Sequence, residues 1–299
     1  MELMLYLDLT VTGLMTGVFY ALMAIGLTLI FGILRVVNFA HGEFYMVGAY
    51  TYTLLSTALG VPVWLTLPAA VLVGAALGWV TERTLMRPLY AGYSSWGLMK
   101  DEYAIIVTFG LSLLLINLVD KVIGPYPYRG PELIDTARVH LGPVIADGHR
   151  LMATGLGVAV IAGVFAFMRF TVAGKQVQAV AQNRLGASLA GIDPGRVSAA
   201  VFAASGGLAA FAGGLLAPII NASPDVGVFT AVKSYVVVVL GGMGSVAGAV
   251  VAGLFLGVAE SFGAVFISYG YRDTFGLVIL ILVLMFRPQG LFGEKGRSV

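Results

Sequence analysis

The chain has 299 residues, 59% hydrophobic and only 11% charged, with a formal net charge of +2. Soluble domains carry roughly 25% charged residues, so a soluble globular fold is excluded and a polytopic helical membrane protein is expected. The absence of cysteine excludes disulfides, thiolate metal sites and cysteine nucleophiles.

Apolar segments follow one another at 10–33, 44–60, 63–81, 104–120, 151–168, 197–217, 232–240, 246–267 and 274–286. A span needs about 20 residues, so 232–240 is too short to cross alone. The expected fold class is an all-α polytopic membrane protein with about eight to nine transmembrane helices, some broken. Its forty glycines suit close helix packing in lipid. No cleavable signal peptide is expected, because Met1–Thr10 carries Glu2 and Asp8 and no basic residue.

Arg35 follows the first segment and no basic residue precedes it, which predicts an N-terminus outside. Arg83, Arg87, Lys100, Arg169, Lys175, Arg184 and Arg196 then fall inside, as do Arg287, Lys295 and Arg297. The region 121–150 must lie outside despite Lys121, Arg129, Arg138 and Arg150; its Pro and Gly at Gly124-Pro125-Tyr126-Pro127 and Leu141-Gly142-Pro143 predict short strands and turns, a small external cap. The whole of 1–299 reads as a single transmembrane domain, with this cap and a cytoplasmic loop over about 169–196.

After the first segment comes an interruption, Asn38-Phe39-Ala40-His41-Gly42-Glu43-Phe44-Tyr45. Lipid does not accept freed backbone and ionisable groups, so the break is buried in protein or lines a watery cavity. Two readings stand for Asn38, His41, Glu43 and Tyr45: bracing of the broken backbone, or lining a translocation pathway. Phe44, Met46 and Tyr50 read as packing.

In the long cytoplasmic loop, 174–192 is polar yet periodic. Val177, Val180, Ala181, Leu185 and Leu189 share one helical face, with Gln178, Gln182, Asn183 and Arg184 elsewhere around it. One helix is expected there, ended by Asp193-Pro194-Gly195. It either closes the loop or docks on a cytosolic partner.

A second interruption lies at Leu240-Gly241-Gly242-Met243-Gly244-Ser245. Paired interruptions, one in each half, point to an internal inverted repeat with a pathway between the halves. Catalytic motifs are missing: there is no G-x-x-x-x-G-K-[ST] phosphate loop and no H-E-x-x-H, so no ATPase, metal or cofactor chemistry is expected. His140 and His149 read as surface residues. Lys233 and Glu260 stand as ionisable groups in apolar surroundings, Glu260 paired in the bundle or close to a helix end.

Four stretches carry a resemblance. Tyr20-Ala21-Leu22-Met23-Ala24-Ile25-Gly26-Leu27-Thr28 with Phe31-Gly32 and Asn38 to Glu43 resembles the LivH-type permeases of branched-chain amino-acid ABC importers. Ala179-Val180-Ala181-Gln182-Asn183, with Ala187, Ala190 and Gly191-Ile192, is similar to their cytoplasmic loop; Gly241 to Ser245 with Gly248-Ala249 to their glycine motif; and Phe286-Arg287-Pro288-Gln289-Gly290-Leu291-Phe292-Gly293 to their ending. The resemblance implies a multi-pass permease of a bacterial or archaeal cytoplasmic membrane, surrounded by lipid. It also implies a second, LivM-type permease, two cytosolic ATPase subunits, a periplasmic binding protein and a small amino-acid substrate, with no nucleic acid. Gln178, Ala181, Gln182, Asn183, Arg184 and Gly191 would then serve ATPase coupling, although the Glu of the Glu-Ala-Ala-Gly pattern of many importers is missing here. Asn38, His41, Glu43 and Tyr45, with Gly241, Gly242, Gly244 and Ser245, would line or brace the pathway. Alternatives are urea or short amides as substrate in the same class, and an ion-coupled secondary transporter.

Overall fold

The computed structural model describes residues 2–90, 100–134, 139–141 and 144–293. Helices run as α1 Glu2–Leu34, α2 His41–Thr57, α3 Val63–Thr81, α4 Arg87–Tyr90, α5 Lys100–Val122 and α6 Gly148–Phe170. They continue as α7 Val172–Gln182, α8 Arg184–Leu189, α9 Pro194–Ile220, α10 Val226–Gly241, α11 Val246–Phe266 and α12 Arg272–Phe286. Seven helical stretches among the described residues are long and apolar enough to cross a membrane. α10, with 16 residues, is a shorter apolar helix among the described residues, and α2 has 17 residues. The fold is all-α and polytopic, and each expected apolar segment falls on a helix.

Three expectations need correction. α2 begins at His41 rather than near 44, so the first interruption is only Arg35 to Ala40, and His41-Gly42-Glu43 forms a helical first turn. Arg35 closes α1 in the left-handed region at φ 55°, its N–H bonded to the Phe31 carbonyl, an ending more often given to glycine. The loop 174–192 is two helices, because Asn183 is extended (φ −151°) and starts α8 by accepting the Gly186 N–H. His149 is buried, not at the surface, and its Nδ1 accepts the Leu133 N–H at 3.2 Å.

In the cap region the expected strands form an antiparallel hairpin, β1 Val139–Leu141 with β2 Val144–Ala146. The expected turn residues Gly142 and Pro143 lie outside the described residues.

Packing divides the chain into two compact units. Described residues within 1–28, 132–161 and 232–299 form the first; those within 29–131 and 162–231 form the second. The first unit is built on two small-residue stripes. Gly13 and Gly17 of α1 lie against Gly253 and Gly257 of α11, where a Cβ on Gly17 would stand 2.6 Å from the Leu254 Cα. In the second unit α2, α3 and α9 make the core. Gly48 of α2 abuts Ala210, and Gly74 and Gly78 of α3 abut Gly206 and Phe202 of α9. Such spacing lets backbones touch, which drives helix association where solvent gives no hydrophobic push. Around these contacts Phe44, Tyr45, Tyr52 and Phe202 are fully enclosed.

Candidate functional site

At the first interruption the freed backbone groups find partners. The Asn38 side-chain oxygen accepts the Ala40 N–H at 3.1 Å, and Thr108 Oγ1 of α5 accepts the Phe39 N–H at 3.1 Å. The turn is therefore braced by Asn38 and a threonine that the sequence does not single out. His41 is buried with its Nδ1 3.5 Å from Ser205 Oγ on α9. Glu43 is equally buried. Its Oε1 accepts the Ser112 hydroxyl at 2.6 Å, while Oε2 has no hydrogen-bond partner and rests against Gly227, where a side chain would collide.

Further along α2, the Tyr45, Tyr50 and Thr53 hydroxyls are also buried without partners. Leaving such groups unmet costs about 1–3 kcal/mol each. α2 thus concentrates four unpaired polar atoms, counting Glu43 Oε2, in the helix that follows the first break.

The second interruption is held differently. Gly242 and Gly244 take φ of 100° and 87°, conformations that cost a side-chain-bearing residue about 1–2 kcal/mol. Ser245 caps α11, its Oγ accepting the Gly248 N–H at 3.0 Å. Gly241 lies directly on Gly248. The C-terminal stretch completes the joint: the Leu291 and Phe292 N–H groups donate to the Leu240 and Gly241 carbonyls at 2.8 and 3.1 Å. The Gly290-Leu291-Phe292 stretch is thus a cap for the end of α10.

In the loop over 169–196 the apolar stripe divides. Val177, Val180 and Ala187 are buried, but Leu185 and Leu189 of α8 are 71% and 83% exposed. Gln178 Nε2 donates to the Met168 carbonyl at 2.9 Å. Ala181 is half-buried, Gln182 and Asn183 are exposed, and Arg184 is half-buried. Gly191, at φ 82° and exposed, ends α8. α9 then starts at Asp193, whose carboxylate accepts the Gly195 and Arg196 N–H groups; the Arg196 and Gly195 amides hold its carboxyl below the usual range.

One residue near this loop escapes a reading of the sequence. Glu82 opens a π-helical turn, Glu82–Met86, that prolongs α3. It is buried with neither carboxylate oxygen hydrogen-bonded, and it lies in the field of Arg83, Arg87 and Arg184. Single-turn π segments mark functional places in helices. The signal in the sequence is an acid directly after the apolar run 63–81, and the adjacent Arg83 masks it by giving the stretch the look of a polar helix end. Lys233 and Glu260, the ionisable groups in apolar surroundings, pair with each other inside the first unit, as expected for Glu260.

The comparisons agree with this architecture. The chain matches the family described as branched-chain amino acid transport system, permease component, over residues 9–286. It is 33% identical to the high-affinity branched-chain amino acid transport system permease protein LivH of Escherichia coli K12, covering 98% of this chain and 97% of that one. Identity to BraD of Pseudomonas aeruginosa, which carries the same description, is 33% over the same shares of each chain. It is also 28% identical to the E. coli permease protein LivM, over 91% of this chain and 67% of that one. No solved structure matches. The likeness to both LivH and LivM points to the paired-permease architecture of ABC importers. A multi-pass bundle with two interrupted segments, and a match running from α1 through α12, place the chain in the family of branched-chain amino-acid transport permeases.

Proposed function

We propose that this chain is one of two permease subunits of an ATP-driven importer for branched-chain or other small amino acids in a cytoplasmic membrane. Two cytosolic ATPase subunits drive the pair, and a periplasmic binding protein delivers the substrate. The observation that carries this reading is the match over residues 9–286 to amino-acid transport permeases. The exposed leucines of α8, Leu185 and Leu189, support a docked cytosolic partner. α12, little covered by this chain, leaves a face for lipid or the second permease.

In this mechanism ATP binding and hydrolysis move the ATPases and, with them, α7 and α8. The bundles then expose the pathway to each side in turn. The two interruptions act as joints, and the polar groups of α2 line or brace the path. A His41→Ala complex separates the roles of the first joint. Retained assembly and ATPase activity with lost uptake assigns His41 to the path; lost assembly assigns it to bracing.

A further inference from the structure

We propose that an ionic cluster within the first unit holds the two charged ends of the transported amino acid; this rests on the function proposed above. Lys233 of α10 pairs with Glu260 Oε1 of α11 and, at 2.9 Å, with Asp273 Oδ1 of α12. Tyr20 of α1 donates to Glu260 Oε2 at 2.6 Å, and the Lys233 ammonium lies 5.4 Å from the Tyr20 ring centre. Four helices of a membrane bundle thus converge on two cations and two anions, counting Arg272. If packing alone were at stake, apolar residues of similar volume would serve as well or better. Ionisable groups buried among apolar helices are candidates for function.

The cluster is unfinished in a particular way. Arg272 Nε stands 3.9 Å from Glu260 Oε2, beyond hydrogen-bond reach. It is buried without a partner, as is Nε of Arg150, whose Nη2 is held by Thr16 at 2.9 Å. Arg150 lies within the fields of Arg272, Asp147 and Asp8. Each arginine occupies the first turn of its helix, α6 or α12, where the helix end is already positive and a cation is disfavoured. What these guanidiniums leave unmet is an acceptor at each Nε, and guanidinium donors favour a carboxylate. The acid for an ammonium is also present: the Asp273 side chain is 62% exposed, whereas those of Lys233 and Glu260 are 5% and 0%. Gly276 lies close against Glu260 and Leu256, where a Cβ would stand 2.8 Å from Oε1, so α12 can bring Arg272 and Asp273 up to the pair.

A zwitterion therefore fits where a single charge does not. Its carboxylate meets Arg272 and Arg150, its ammonium meets Asp273, and the charge balance of Lys233, Arg272, Glu260 and Asp273 is the same before and after passage. Urea and amides have no charged ends to exchange with these pairs.

The test uses the complete complex in proteoliposomes and a leucine analogue with a diazirine in its side chain. Import is measured first, then the complex is irradiated during turnover and labelled peptides are mapped. The expected result is ATP-dependent import with label on the α10 to α12 segments around Lys233, Glu260 and Gly276, or on α1 around Tyr20. Arg272→Gln and Asp273→Asn should each lower uptake about tenfold or more, the loss of one charge-assisted hydrogen bond. Stimulation of ATP hydrolysis by loaded binding protein should persist, and Asp273→Glu should recover part of the uptake. Import with label confined to other helices, or both variants importing normally, overturns the site while leaving the importer reading intact. Absence of ATP-dependent import overturns the importer reading, and the site with it.

Discussion

At the scale of single residues, the tightest constraint is the packing of Glu43 against Gly227. A side chain at 227 would occupy the space of the carboxylate, so Gly227→Ala must push Glu43 off Ser112. The expected loss is about 1–3 kcal/mol from overpacking, read as a lower melting temperature of the purified permease. Glu43→Gln keeps both the volume and the Ser112 contact, and should melt near the parent. Asp193 gives a pH prediction outside the membrane. Its carboxyl is held below its ordinary value of 3.8 by the Arg196 and Gly195 amides. Its capping contribution is therefore fully present at neutral pH and lost only as pH falls through that lowered value. Protection of the amides in the first turn of α9, taken relative to their intrinsic exchange rates, should be lost in the parent only in acid, as pH falls through that lowered value, and be low at all pH in Asp193→Ala; a parent profile flat to acid contradicts the cap. Sequence alone finds Glu43 and His41 because ionisable groups stand out in an apolar run. Thr108, Ser112 and Gly227 are ordinary membrane-helix residues, and only the folded chain brings them to the break.

At the scale of elements, the joint between α10 and α11 depends on three local devices. Gly244→Ala forces a side chain into φ 87° and should cost about 1–2 kcal/mol. Ser245→Ala removes the cap on Gly248 and should cost about 1 kcal/mol. Ending the chain at Pro288 removes the Leu291 and Phe292 bonds to the α10 carbonyls, about 0.5–1.5 kcal/mol each. All three are read by thermal unfolding of the purified permease, and wild-type stability in the truncation would contradict the capping role of the tail. The glycine turn is plain in the sequence because consecutive glycines punctuate an apolar run. The division of 174–192 is not, because the helical period of its apolar residues runs through Asn183, whose side chain instead satisfies the next turn. Likewise α10 looks too short, since Val226 to Ala231 precede Lys233 and the charge interrupts the apolar pattern; pairing with Glu260 is what lets the helix carry that lysine.

At the scale of the whole molecule, function depends on chains beyond this one. α8 offers Leu185 and Leu189 to solvent with Arg184 beside them, and Glu82 at the end of α3 lies in the field of that arginine. Arg184→Glu therefore faces a buried carboxylate on one side and the proposed ATPase on the other. It should reduce ATPase co-purification and uptake together, and so should a bulky residue at Gly191; unchanged co-purification and uptake would contradict the coupling role. The all-α bundle was legible from composition and apolar run length, since lipid admits few other solutions. The two compact units were not, because they join segments far apart in sequence through small-residue contacts that leave no periodic signature.

The most direct test is uptake of labelled leucine into proteoliposomes that hold the complete complex, with ATP sealed inside and loaded binding protein outside. Unlabelled valine, alanine, glutamate and urea serve as competitors. ATP-dependent uptake that valine blocks and urea does not is the predicted result. Uptake by this chain alone without ATP, or no leucine uptake by a complex whose ATPase responds to its binding protein, would contradict an ATP-driven importer of branched-chain amino acids.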